Sequence, residues 1–134
     1  MLNRPRNVKY KKTRKGKLGN LEYKATNLTF GNVGLKAVES GILTSKQIEA
    51  ARRAIVRKTQ RKGKVWIKIF PDTPITAKST GVRMGKGKGG VSHWGAKVKG
   101  GTVLFEICGI KLSLVKTALN TGGAKLPIKT KIFF

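Results

Sequence analysis

The chain has 134 residues, of which 30 are Lys or Arg and 5 are Asp or Glu, giving a formal net charge of +25. That length suits one domain with a modest core, and 39% hydrophobic residues exclude a wholly disordered polycation. A soluble domain with this charge repels itself unless counter-charge arrives, and nucleic acid is the densest polyanion in a cell.

Residues 1–17 hold Arg4, Arg6, Lys9, Lys11, Lys12, Arg14, Lys15 and Lys17 and no acid. With Pro5, Gly16 and little apolar content, the segment reads as an extended arm that orders on nucleic acid. Residues 18–134 then form the single globular domain. Residues 26–39 read as extended, with Thr26, Leu28 and Phe30 alternating and Leu35, Ala37 and Val38 following. Ser40-Gly41 marks a turn. Thr44-Ser45-Lys46-Gln47 is a capping box, so a helix is predicted from about Ser45 to Lys62, ahead of Gly63. At helical spacing Ile48, Ala51 and Ile55 share one face, and Arg53, Arg57 and Arg61 share the opposite one. Glu49 is the only i, i+4 acid for that stripe, which therefore points to phosphate rather than to an ordinary solvated face.

Val65-Trp66-Ile67-Lys68-Ile69-Phe70 is apolar at nearly every position and reads as a central strand. A long connection follows, over residues 71–93. It carries Arg83-Met84-Gly85-Lys86-Gly87-Lys88, where glycine lets the backbone lie close to a partner and lysine meets phosphate. Ala96 to Lys99, Gly100-Gly101 and Thr102 to Ile107 read as a hairpin. Leu112, Val115 and Leu119 mark a second helix, over about Leu112–Thr121, closed by Gly122-Gly123. Ile128 to Phe134 reads as a last strand. The order β, α, β, β, β, α, β is an α+β pattern with two helices and a mixed, mainly antiparallel sheet.

Catalytic chemistry has little to work with. The five acids, Glu22, Glu39, Glu49, Asp72 and Glu106, are scattered. Gly85-x-Gly87-x-x-Gly90 lacks the strand before and helix after that a dinucleotide fingerprint needs. One cysteine, Cys108, and one histidine, His93, exclude an intramolecular disulfide and a Cys- or His-rich metal site. Cys108 reads as a core residue rather than a partner of His93, which reads as a loop residue within reach of RNA. Trp66 reads as core, and Trp94 is open between core and base stacking. No cofactor and no metal are expected. No apolar run is long enough to span a membrane, and none resembles a secretory signal.

Together these segments resemble the ribosomal protein L-sixteen family of the large subunit, bacterial and organellar type. The likeness runs through the basic arm, Phe30-Gly31 and Gly34-Leu35-Lys36-Ala37-Val38. Thr44 to Ala54 follows the family's first helix almost residue for residue. Gly63-Lys64-Val65-Trp66-Ile67-Lys68-Ile69-Phe70-Pro71-Asp72 with Pro74-Ile75-Thr76 is similar to one family signature, and Val82 to Gly89 with Trp94 to another. Ala124 to Thr130 resembles the family's ending.

The resemblance implies an α/β-hammerhead-like domain bound to large-subunit rRNA near the base of the central protuberance, beside the cleft for aminoacyl-tRNA. It implies that the arm and the glycine-rich loop point toward the peptidyl-transferase region, and that the protein catalyses nothing. The partners implied are rRNA, tRNA and neighbouring large-subunit proteins, with no membrane and no homo-oligomer. Ser92-His93-Trp94-Gly95-Ala96 lacks the family's acidic-aromatic pair, and the second helix has Lys111 where a Glu-rich turn is usual. Such drift fits an organellar ribosome. Similarity from Met1 with no presequence points to a mitochondrion-encoded protein, with a plastid or a bacterium as alternatives. From other classes, a DNA-binding architectural protein would share the charge but leave the glycine loop unexplained. A small phosphotransferase would need a carboxylate beside the loop, and Asp72 is the nearest.

Overall fold

The computed structural model describes residues 4–134. In chain order the elements are β1 (Val33–Ala37), β2 (Gly41–Thr44), α1 (Ser45–Lys58), β3 (Lys64–Ile67), β4 (Thr73–Ala77), β5 (Gly90–Val98), β6 (Val103–Cys108), α2 (Leu112–Gly123) and β7 (Thr130–Phe133). The fold is α+β, as expected, but its strands divide between two sheets. β3-β6-β1-β7 form a four-stranded sheet and β2-β5-β4 a three-stranded one. Every strand pairing among the described residues is antiparallel.

The core lies between the helices and the four-stranded sheet. Leu35, Phe105 and Ile107 are buried there against Ile48, Ile55, Val115 and Leu119. Burying each such side chain contributes about 1.5–3 kcal/mol. α1 starts where its capping box requires: the Gln47 N–H donates to Thr44 Oγ1 at 3.3 Å and the Thr44 N–H to Gln47 Oε1 at 2.9 Å. Ile48, Ala51 and Ile55 are its buried face, as the spacing predicts. α2 does not stop before Gly122-Gly123 but includes both glycines. A Cβ at Gly122 would lie 2.5 Å from Ile55 Cγ1, so the glycine lets the two helices approach. Leu112, expected on the apolar face, is 48% exposed at the first turn, and Ala118 is buried instead.

Tertiary pairing overturns three further expectations. The strand over Val65–Ile67 is not central; β3 sits at the sheet edge, paired only with β6. Its Val65, Ile67 and following Ile69 pack on the core, while Trp66 is half-buried on the opposite face. β5 and β6 do not form a hairpin but belong to different sheets. The Gly101 N–H donates to the Ala37 carbonyl at 2.7 Å and the Ala37 N–H to the Thr102 carbonyl at 2.9 Å. The Gly-Gly turn thus passes the chain between sheets. The connection over 71–93 is not wholly irregular: β4 and the first half of β5 pair within it, leaving the loop 78–89 at their tip. Gly41, expected in a turn with Ser40, instead opens β2, which runs to Thr44.

The alternating segment Thr26–Phe30 is coil. It covers the outer face of the four-stranded sheet, where Gly34 leaves room for Leu28. The anchor is Glu106, fully buried on β6. Its carboxylate accepts the N–H of Phe30 at 2.6 Å, of Gly31 at 2.8 Å and of Thr29 at 3.2 Å. Lys68 Nζ lies 3.5 Å from it. Burial pushes this carboxyl up, yet the three N–H groups and the lysine outweigh burial and hold it below its ordinary value.

Candidate nucleic-acid interface

Residues 4–17 carry no helix or strand, and Arg4, Arg6, Lys9, Lys11, Lys12, Arg14, Lys15 and Lys17 are all exposed. The arm nevertheless follows the domain. Lys12 Nζ donates to the Lys88 carbonyl at 2.8 Å, and Lys88 Nζ donates to the Thr13 carbonyl. Arm and loop are therefore clasped by two lysines that neutralise no charge. Nearer its start, Arg4, Pro5, Arg6 and Val8 line an open groove with Phe70 and Trp94. This places half-buried Trp94, left open by the sequence, under the arm.

Loop 78–89 is exposed except at Gly89, and Met84 is 91% exposed. Two of its glycines, Gly85 and Gly87, answer to backbone conformation rather than packing. Gly85 and Gly87 have φ of 102° and 79°, and a Cβ at either would meet nothing within 4 Å. Lys86 between them has φ 53°, a left-handed conformation that costs a non-glycine residue about 1–2 kcal/mol. Lys78 Nζ donates to the Gly85 carbonyl and braces the turn. Arg83, Met84, Gly85, Lys86, Gly87 and Lys88 thus stand together at the hairpin tip, beside the arm.

The helix stripe forms a second basic surface. α1 ends at Lys58, and Gln60 and Arg61 turn back with φ of 53° and 61°. That turn keeps Arg61 in one cleft with Arg53 and Arg57, although it is not helical. The stripe is not free of counter-charge, however. Glu49 takes Arg52 in a fork at 2.7 and 2.8 Å and also accepts from Arg53 Nε at 3.0 Å. Chiefly the Arg52 hydrogen bond, then Arg53, holds the Glu49 carboxyl at about 2 despite opposing desolvation. Arg57 and Arg61 have no acidic partner among the described residues. Arg52 lines the same cleft and was missed, though its i, i+3 spacing from Glu49 was there to read.

The other acids are also engaged, none of them with a side chain of the arm or loop among the described residues. Glu39 pairs with Lys129 at 3.0 Å, Glu22 accepts the Lys24 N–H at 3.0 Å, and Asp72 accepts from Thr73 Oγ1 at 3.0 Å. Only Arg52, Arg53, Lys68 and Lys129 of the basic side chains form salt bridges among the described residues. The rest of the positive charge is available to a polyanion. His93 lies exposed on β5 rather than in a loop, 3.3 Å from Ser92 Oγ. Cys108 ends β6 in the other sheet and is only partly buried. Among the described residues no group of three or more His, Cys, Asp or Glu could hold a metal ion. No helix there is long and apolar enough to cross a membrane.

Comparison with known proteins bears on this surface. The family model described as ribosomal protein L16p/L10e matches residues 5–133. The large ribosomal subunit protein uL16 of Bartonella quintana is 52% identical over 127 residues, covering 95% of this chain and 93% of the relative. That of Gluconobacter oxydans is 52% identical over 127 residues, covering 95% and 92%. That of Borrelia recurrentis is 51% identical over 126 residues, covering 94% and 91%. The match spans the arm, the arginine helix and the glycine loop together, and the chain belongs to the ribosomal protein L16p/L10e family.

Proposed function

We propose that the protein is a structural component of the large ribosomal subunit and that its basic surfaces bind large-subunit rRNA near the base of the central protuberance. In this reading residues 1–17 are the rRNA-binding arm, and residues 18–134 are the rRNA-binding domain that presents the loop within 71–93. Arg4, Arg6, Lys9, Lys11, Lys12, Arg14 and Lys15 contact rRNA from the arm, and Arg53, Arg57 and Arg61 from the helix. Loop residues Arg83 to Lys88 lie toward tRNA at the A site and the peptidyl-transferase region. Neighbouring large-subunit proteins complete the partners. The protein positions RNA and catalyses nothing.

One observation carries the reading: the clasp between Lys12 and Lys88 joins arm and loop into one surface containing no acid. Holding so many like charges together is unfavourable in the free chain and becomes favourable against phosphates. Arg83 has the planar fork that can hold a phosphate or a base edge bidentately, whereas Lys86 and Lys88 act as point charges.

The relatives compared are bacterial, which fits a ribosome of bacterial type. The departures at Ser92–Ala96 and Lys111 support an organellar member, and we infer the mitochondrial matrix. Co-sedimentation with particles from fractionated organelles tests the compartment.

Ribosomes carrying Arg83→Ala, Lys86→Ala and Lys88→Ala test the loop. The expected result is normal subunit assembly with weaker tRNA binding, for all tRNAs alike, because phosphate contacts position without reading sequence. Defective assembly with normal tRNA affinity would leave only an rRNA clamp.

A further inference from the structure

We propose that Phe30 and Trp66 form a stacking platform for one unpaired RNA base. The two rings lie on the outer face of the four-stranded sheet, stacked with centroids 6.0 Å apart and planes 21° from parallel. Phe30 is 57% exposed, so its ring adds little to the core. The fold nonetheless fixes it firmly. Its N–H is the closest of the three donors held by the buried Glu106 carboxylate, at 2.6 Å. Lys68 Nζ bonds to Thr29 Oγ1 at 2.9 Å and lies 4.6 Å from the Phe30 ring centroid. Lys64 Nζ lies 5.2 Å from that of Trp66.

A buried carboxylate that orders an exposed apolar ring serves a partner better than it serves folding. The charge beside the rings identifies the partner. Lys68 is held by Glu106 and Thr29, whereas Lys64, over the Trp66 ring, has no acidic partner among the described residues. An exposed aromatic surface beside such an ammonium, on a chain of net charge +25, matches a base whose own phosphate lies alongside. In a duplex the faces of each base are covered by the neighbouring base pairs, so the ligand is an unpaired, unstacked nucleotide. A neighbouring protein is the competing occupant, but most protein surfaces offer no array of negative charge to meet Lys64 and the basic chain around it.

The platform rests on the RNA-binding reading above and is separable from it by experiment. The full-length chain is titrated with a single-stranded RNA of about ten nucleotides, a length within the usual site size for such platforms, and with an RNA duplex of equal length. Each base stacked on an aromatic ring contributes about 1–3 kcal/mol. Phe30→Ala should therefore weaken single-strand binding roughly 5- to 150-fold and leave duplex binding unchanged. Phe30→Tyr, which keeps the ring face, should restore single-strand binding. The melting temperature of Phe30→Ala should stay near that of the parent, since the backbone bonds to Glu106 survive. Equal affinity of Phe30→Ala and the parent for the single strand, or an equal loss for both RNAs, would overturn the platform. So would protection of Phe30 by a neighbouring ribosomal protein without change in RNA affinity. Failure of the parent chain to bind either RNA would instead overturn the RNA-binding reading itself.

Discussion

The four-stranded sheet and the arm-and-loop surface are built on opposite principles. In the sheet, each strand is placed by apolar burial against α1 and α2, and its one buried acid has every contact it needs. In the arm and loop, exposed basic residues are joined by lysine-to-carbonyl bonds that leave the positive charge in place. β5 carries both regimes along its length: Gly90 to His93 are exposed, whereas Gly95, Ala96 and Val98 are buried. The difference teaches where the stabilising energy of each region resides. The sheet is held by its own packing, and the surface waits for phosphate. Damage to the first should appear as lost stability, and damage to the second as lost binding.

The largest expected effect falls on the surface. Removing residues 4–15 should leave the melting temperature of the domain unchanged. Each phosphate contact adds about 0.7–0.9 to the log–log salt slope of RNA binding, so losing seven basic residues lowers that slope by as much as about 6. An unchanged slope, or a falling melting temperature, would break the comparison by making the arm structural.

Glu106→Ala should strike the sheet instead, by about 3 kcal/mol or more, because it strands three N–H donors under the coil and leaves Lys68 without its acid. Denaturant unfolding measures it. Glu106→Gln keeps an acceptor and should lose less. Loss of RNA binding without loss of stability would contradict the division of roles.

The helix stripe lies between the two regimes, and acid titration sharpens its place. The Glu49 carboxyl is held at about 2, against an ordinary value of 4.5. A depressed carboxylate adds stability that is present above about 4.5 and is lost as pH falls toward 2. Solvent screening of the exposed Arg53 side limits the effect to about 1 kcal/mol. Glu49→Gln should remove that part of the acid sensitivity in thermal melts at pH 2–5. It should also tighten RNA binding slightly, by freeing Arg52 and Arg53. A variant with the parent's acid profile would show that the fork is not formed.

Local signals in the chain determined much of this molecule. The capping box at Thr44, the apolar spacing of Ile48, Ala51 and Ile55, and the extent of positive charge are properties of neighbours in sequence, so they survive into the structure unchanged. The basic arm and the glycine-lysine run were also visible as composition. Other features depend on contacts distant in sequence. Which strand is central, and that β5 and β6 part at Gly100-Gly101, follow from the capture of residues 101–102 by Ala37. The glycines at 122 and 123 read as a helix stop until Ile55 and Thr130 are seen to need the space. Phe30 read as one apolar step in a strand. Only Glu106, 76 residues away in sequence, converts it into a fixed and exposed ring. Short-range periodicity records which residues can be buried, but the partner that fixes each one is chosen when the whole chain packs.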